Sequence, residues 1–78
     1  MLNLGIKLKE LRKEKNLTQQ ELAKSINYSQ SSISCWENRK RMPSVSALIN
    51  LCLLFNVSAN YLLGFTDIRQ RKITKYSV

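Results

Sequence analysis

Gln30, Ser31, Ser34 and Cys35 are four small hydrogen-bonding or polarisable side chains packed into six residues. At 100° per residue, Ser31, Cys35 and Asn38 share one side of a helix, with Ser34 beside them and Gln30 at the leading end; Ile33, Trp36 and Glu37 fall on the other side. A Gln carboxamide can bond adenine N6 and N7 together, and a Ser hydroxyl can donate or accept at several base edges. The methylene of Ser or Cys can touch a thymine methyl. Such a face suits a helix lying in the major groove of DNA; its plain alternative is a polar surface facing water. Cys35 admits a redox role there, against the simpler account of a small unpaired thiol.

The flanking residues predict how this helix is held. Thr18 and Glu21 form a T-x-x-E capping box that starts a helix near Gln19, with Leu22, Ala23 and Ile26 as its inward stripe. Asn27 tolerates the left-handed conformation that ends a helix, and Ser29 can cap the next one. Two short helices therefore meet at a tight turn. Trp36 lies beside Ile33 and is assigned to the core rather than to base stacking. Further helices are expected over residues 4–15, with Leu4, Leu8 and Leu11 buried, from Ser44, and from Ser58 to a stop at Gly64. In the helix after Ser44 the expected core residues are Val45, Leu48, Leu51, Cys52 and Phe55. Residues 66–78 form a basic tail in which Ile68, Ile73 and Val78 are too widely spaced to specify helix or strand.

Arg12, the two-helix unit, Glu37, the run Arg39-Lys40-Arg41-Met42-Pro43-Ser44 and the segment Asn56-Val57-Ser58-Ala59-Asn60-Tyr61-Leu62-Leu63-Gly64 occur in an order that resembles the phage repressor and Cro-like (XRE-type) helix-turn-helix family. The match runs from about Leu4 to Phe65. It implies an all-α, five-helix lambda-repressor-like fold, with residues 1–65 as the DNA-binding domain. By resemblance, Gln30, Ser31 and Cys35 stand where these repressors contact bases, and Gln19 where a glutamine binds phosphate and braces the first glutamine of the recognition helix. Gln19 and Ser32 also lie at helix N-termini, where amides and the dipole favour an anion; ordinary capping is their other reading. Asn38, Arg39, Lys40 and Arg41 are assigned to the DNA backbone, the cations otherwise being a solvated loop. Arg12 and Glu37 resemble the family's buried ion pair. Arg39 departs from the pattern, since the family usually has Gly there, so Asn38 or Arg39 is expected to turn left-handed.

The resemblance implies a bacterial or phage-encoded regulator in the host cytoplasm, a repressor that occupies a pseudo-palindromic operator and excludes polymerase. Two other readings stay open: an antitoxin whose uncharged surface or tail grips a small protein partner, and an interaction module that has lost DNA binding.

Composition bounds these readings. The chain has 78 residues and a formal charge of +8, which suits a polyanionic partner without choosing among DNA, RNA and acidic membranes. Lys7 and Lys9 interrupt any leader-like apolar segment, and the run from Leu51 to Phe55 falls far short of the roughly 20 residues that span a bilayer. With no histidine, Cys35 and Cys52 make no conventional zinc site, and no metal or cofactor is expected. The five acids form no catalytic pair and two glycines make no phosphate loop, so no enzyme is expected. Residues 44–65 carry no charge at all, as the centre of a protein interface does. Ile49 and Leu53, at i and i+4 off the core stripe, are therefore assigned to a two-fold homodimer interface.

Overall fold

A computed structural model describes residues 3–69 of the chain. Five helices follow one another: α1 (Leu4–Glu14), α2 (Gln19–Ile26), α3 (Gln30–Glu37), α4 (Val45–Phe55) and α5 (Ala59–Leu63). This is the all-helical arrangement the sequence implies, with α1 ending one residue early and Lys15 as its C-cap.

Side-chain hydroxyls set the starts of four of them. Thr18, Ser29, Ser44 and Ser58 accept hydrogen bonds from the amides of Glu21, Ser32, Ala47 and Tyr61 at 3.0, 3.2, 3.1 and 2.9 Å. Each bond satisfies an amide that has no partner within its helix. The capping box is complete, because Glu21 Oε1 also accepts from the Thr18 amide at 2.8 Å. Left-handed residues set the ends: Asn27 (φ 64°), Asn56 (φ 54°) and Gly64 (φ 92°) close α2, α4 and α5, while Asn16 (φ 57°) and Arg39 (φ 61°) redirect the chain after α1 and α3. Asparagine's short polar side chain makes this conformation less costly than it is for most residues.

α1 packs on α3 and α5, α2 on α3 and α4, and α4 on α5. They enclose one core in which Leu4, Leu8, Leu22, Ile33, Leu51 and Leu62 are all but inaccessible. Val45 corrects the sequence reading, because it is 75% exposed and Ala47 is buried in its place. The buried arc of α4 centres on Leu51, and Val45 lies about 120° away from it at 100° per residue. Val45 thus joins Ile49 and Leu53 on the outer face of α4.

Beyond α5 the chain turns back on the domain. The Ser58 amide donates to Arg69 O at 3.0 Å, Arg69 Nε donates to the Tyr61 hydroxyl at 3.0 Å, and Arg69 Nη1 and Nη2 grip both oxygens of Glu14. The guanidinium hydrogen bond holds the Glu14 carboxyl below its usual pKa range. Lys7 Nζ stands 4.4 Å from the centre of the Tyr61 ring. Arg69, grouped with the basic tail in the sequence, therefore lies against α1 and α5, while Ile68 is exposed; Ile73 and Val78 fall outside the described residues.

Gly5 lets α1 come very close to the end of α3. A β-carbon there would stand 2.6 Å from Glu37 O and 2.8 Å from Trp36 O, and these are backbone atoms with little room to give. Gly5→Ala is expected to lower unfolding free energy by about 1–3 kcal/mol, the usual range for overpacking, measured by urea denaturation. An unchanged midpoint would show that the two helices are not locked at this approach.

Candidate nucleic-acid interface

The phase of α3 about its own axis decides which side chains face outward. Ile33 is fully buried and Trp36 is 4% exposed, as expected of core residues. Trp36 meets Tyr28 edge to face, with ring centres 5.4 Å apart and planes at 64°, and the Tyr28 hydroxyl reaches Ser44 Oγ at 3.3 Å. The indole therefore anchors α3 to the turn before it and to the start of α4.

A buried ionic network fixes the end of α3. Arg12 Nε donates to Glu37 Oε2 at 2.6 Å and Nη2 to Oε1 at 3.2 Å, while Nη1 donates to Leu17 O at 2.7 Å. Both residues are buried, which makes the two-point contact rigid and strong. Gln19 Nε2 adds a third donor to Glu37, at 3.1 Å to Oε1. The amide of Gln19 is thus turned to Glu37 and not to Gln30, the partner the resemblance implies. Its position at the start of α2 still places it beside the outer face of α3.

That face is a single surface. Gln19, Gln30, Ser31, Ser34 and Cys35 together line a shallow depression where α2 meets α3. Gln30 and Ser31 are exposed, and Ser34 and Cys35 are half-buried along its wall. Ser32 plays a more local part: its amide and its hydroxyl both bond Ser29 Oγ, at 3.2 and 3.0 Å. Asn38 is exposed at the end of α3, its Nδ2 donating to Ser34 Oγ at 3.2 Å. Of the two residues able to turn left-handed, Arg39 does so and Asn38 does not. Arg39, Lys40 and Arg41 then run exposed beyond α3, rimming a groove floored by Leu4, Gly5 and Trp36. Ile49 and Leu53 lie elsewhere, 53% and 56% exposed on the outer face of α4.

Several positioning residues escape a reading of the sequence alone. Gly5 offers no signal beyond being one of two glycines. The Gln19–Glu37 and Asn38–Ser34 bonds need the phases of two elements at once, although the i, i+4 spacing of Ser34 and Asn38 could have suggested the second. Among the described residues no group of three His, Cys, Asp or Glu could hold a metal ion, and no helix is long and apolar enough to cross a membrane.

A helix-turn-helix family model matches residues 8–62, well over half of the chain. The chain belongs to the helix-turn-helix family. This helix-turn-helix chain is 36% identical over 73 residues to the HTH-type transcriptional regulator ImmR of Bacillus subtilis (strain 168), covering 94% of the chain and 58% of ImmR. It therefore spans little more than half the length of that curated relative. Its fold superposes on the P22 c2 repressor solved in complex with synthetic operator 9T, with a TM-score of 0.74, 30% identity, and coverage of 77% of this chain and 91% of that one. It is similar too to SinR, the master regulator for biofilm formation, solved in complex with DNA: TM-score 0.70, 31% identity, covering 77% of this chain and 97% of that one.

Removing one member of the buried pair strands the other charge. Arg12→Ala is expected to cost about 3–5 kcal/mol in urea denaturation, and Arg12→Ala with Glu37→Leu distinctly less than the sum of the two single changes. Additive losses would show that the charges are not coupled.

Proposed function

We propose that this chain is a sequence-specific DNA-binding transcriptional regulator, a repressor that works by occupying its operator. One observation carries the reading: the side chains able to read base edges, Gln30, Ser31, Ser34 and Cys35, share one outward surface of a helix held from behind by Trp36 and the Arg12–Glu37 pair. α3 would enter the major groove, whose width admits a helix, and Gln30 and Ser31 at its tip would meet base edges first. Gln19 and Ser32 at the helix starts and the cations Arg39, Lys40 and Arg41 would follow the phosphates on either side. The names of the relatives support regulation, and the operator and DNA complexes of the P22 c2 repressor and SinR support the docking mode. On this reading the protein acts in the cytoplasm of a bacterial host, where duplex DNA is accessible.

Two copies would bind together. Val45, Ile49 and Leu53, at i, i+4 and i+8, form an exposed apolar stripe within the uncharged residues 44–65. A two-fold contact there would set two α3 helices against half-sites roughly 34 Å apart, one turn of DNA.

Selection of bound duplexes from a random library tests the first part. An inverted repeat should be enriched, and Gln30→Ala with Ser31→Ala should lose it while keeping weak, sequence-independent binding. Affinity should fall by about 10³ to 10⁵ between 50 and 200 mM salt if a dimer neutralises roughly 6–10 phosphates. A flat salt response would sink the mechanism. For the dimer, Leu53→Glu should remain helical by circular dichroism, sediment as a monomer and bind the full repeat no better than a half-site; unchanged affinity for the full repeat would exclude this face.

A further inference from the structure

Ser34 differs from an ordinary helical serine in what its hydroxyl does. Ser25, also inside a helix, donates its hydrogen to the carbonyl four residues back, Glu21 O, at 2.9 Å. This is the usual local arrangement for a serine in a helix. Ser34 instead accepts: Asn38 Nδ2 donates to its Oγ at 3.2 Å, and Asn38 is its side-chain partner among the described residues. The two residues are joined a second time through the backbone, since the Asn38 amide donates to Ser34 O at 2.9 Å. That second bond holds Asn38 directly one turn beyond Ser34 and keeps its carboxamide over the hydroxyl.

A hydroxyl has one hydrogen and two acceptor lone pairs. With one lone pair occupied by Asn38, the hydrogen and a single remaining lone pair are left for a partner in the depression that Ser34 lines with Gln30, Ser31 and Cys35. Accepting one bond also polarises the hydroxyl and strengthens it as a donor. Accordingly, we propose that Asn38 is a specificity-determining positioning residue which makes Ser34 a hydrogen-bond donor, so that Ser34 selects a base edge presenting acceptors. This rests on the DNA-binding reading above. In the major groove guanine presents O6 and N7 and thymine O4, adenine presents N7 beside a donor, and cytosine presents only its N4 donor. With its donor strengthened and only one lone pair left to accept, Ser34 therefore favours guanine or thymine over cytosine at its position. A serine alone would specify loosely; one held by Asn38 has one fewer way to accept and is biased toward donating.

The proposal gives Asn38→Asp a distinctive outcome. A carboxylate can only accept, so Ser34 would turn its hydrogen onto the introduced carboxylate and present lone pairs to the groove. The preferred base should then change to one with a donor, cytosine or adenine. Selection from a random duplex library with the full chain, run in parallel for wild type, Asn38→Ala, Asn38→Asp and Ser34→Ala, reads this directly. Wild type should enrich guanine or thymine at one position, and Asn38→Ala should flatten that position by about threefold to tenfold, the worth of one hydrogen bond. Asn38→Asp should exchange the preference, and Ser34→Ala should lose it. Circular dichroism and urea midpoints close to wild type should accompany all three, because Asn38 is exposed and its backbone bond survives substitution. Retention of the wild-type base by both Asn38 variants would overturn the proposal and leave the DNA reading intact. So would a uniform loss of affinity across all sequences, the mark of a phosphate contact. Enrichment of no sequence by the wild type would overturn the DNA reading and this proposal with it.

Discussion

The buried contact between Arg12 and Glu37 is the constraint on which the rest of the molecule turns. One guanidinium reaches the end of α3 through two nitrogens and the α1–α2 connection through the third, and the same carboxylate receives Gln19 from the start of α2. Three helices and a connecting loop thus share one set of hydrogen bonds. A buried ion pair is a poor source of net stability, since desolvating two charges offsets much of their attraction. Its strength is directional: charges that cannot be left unpaired tolerate few arrangements of the helices carrying them. Apolar side chains alone would hold α3 against the core with more freedom to rotate or slide.

Such a device matters because the helices are short. Eleven residues is the longest, and α5 has five; isolated helices of this length are marginal in water. They persist here because four of the five starts are capped by a side-chain hydroxyl, a left-handed residue turns the chain at or just after each end, and each inner face is buried. The division between inside and outside in α3 follows. Trp36 and Ile33 occupy the core, Glu37 satisfies Arg12, and what remains is a polar strip backed by a rigid wall. Pre-organisation of this kind favours recognition, because little conformational freedom is lost when a partner arrives.

Much of this architecture is local in origin and could be read from residue order. The caps at Thr18, Ser29, Ser44 and Ser58, the turn at Asn27 and the stop at Gly64 each depend on a few adjacent residues, and all six form as the sequence implies. Val45 shows where such reading fails. In a helix whose apolar residues nearly encircle it, periodicity cannot say which arc the neighbours will cover; the packing of α2 and α5 decides in favour of Ala47 and Leu51. The pairing of Gln19 with Glu37 and of Arg69 with Glu14 bridges 18 and 55 residues of sequence, and the tight passage at Gly5 involves backbone of a different helix. None of these leaves a local trace. The polar strip of α3 was legible in its residue types, whereas the orientation of Gln19 and of Ser34 belongs to the folded state.

Arg39 makes a different kind of point. Its backbone lies at φ 61°, in a region that costs an L-residue with a side chain roughly 1–2 kcal/mol and costs glycine almost nothing. Glycine there would relieve the strain and remove a cation from the loop beyond α3. The chain therefore retains a conformational defect within the run of three cations that follows α3. Local relaxation and surface potential compete for this one position. A variant selected purely for thermal tolerance would be drawn toward glycine here, and its electrostatic reach toward polyanions would shrink as its melting temperature rose.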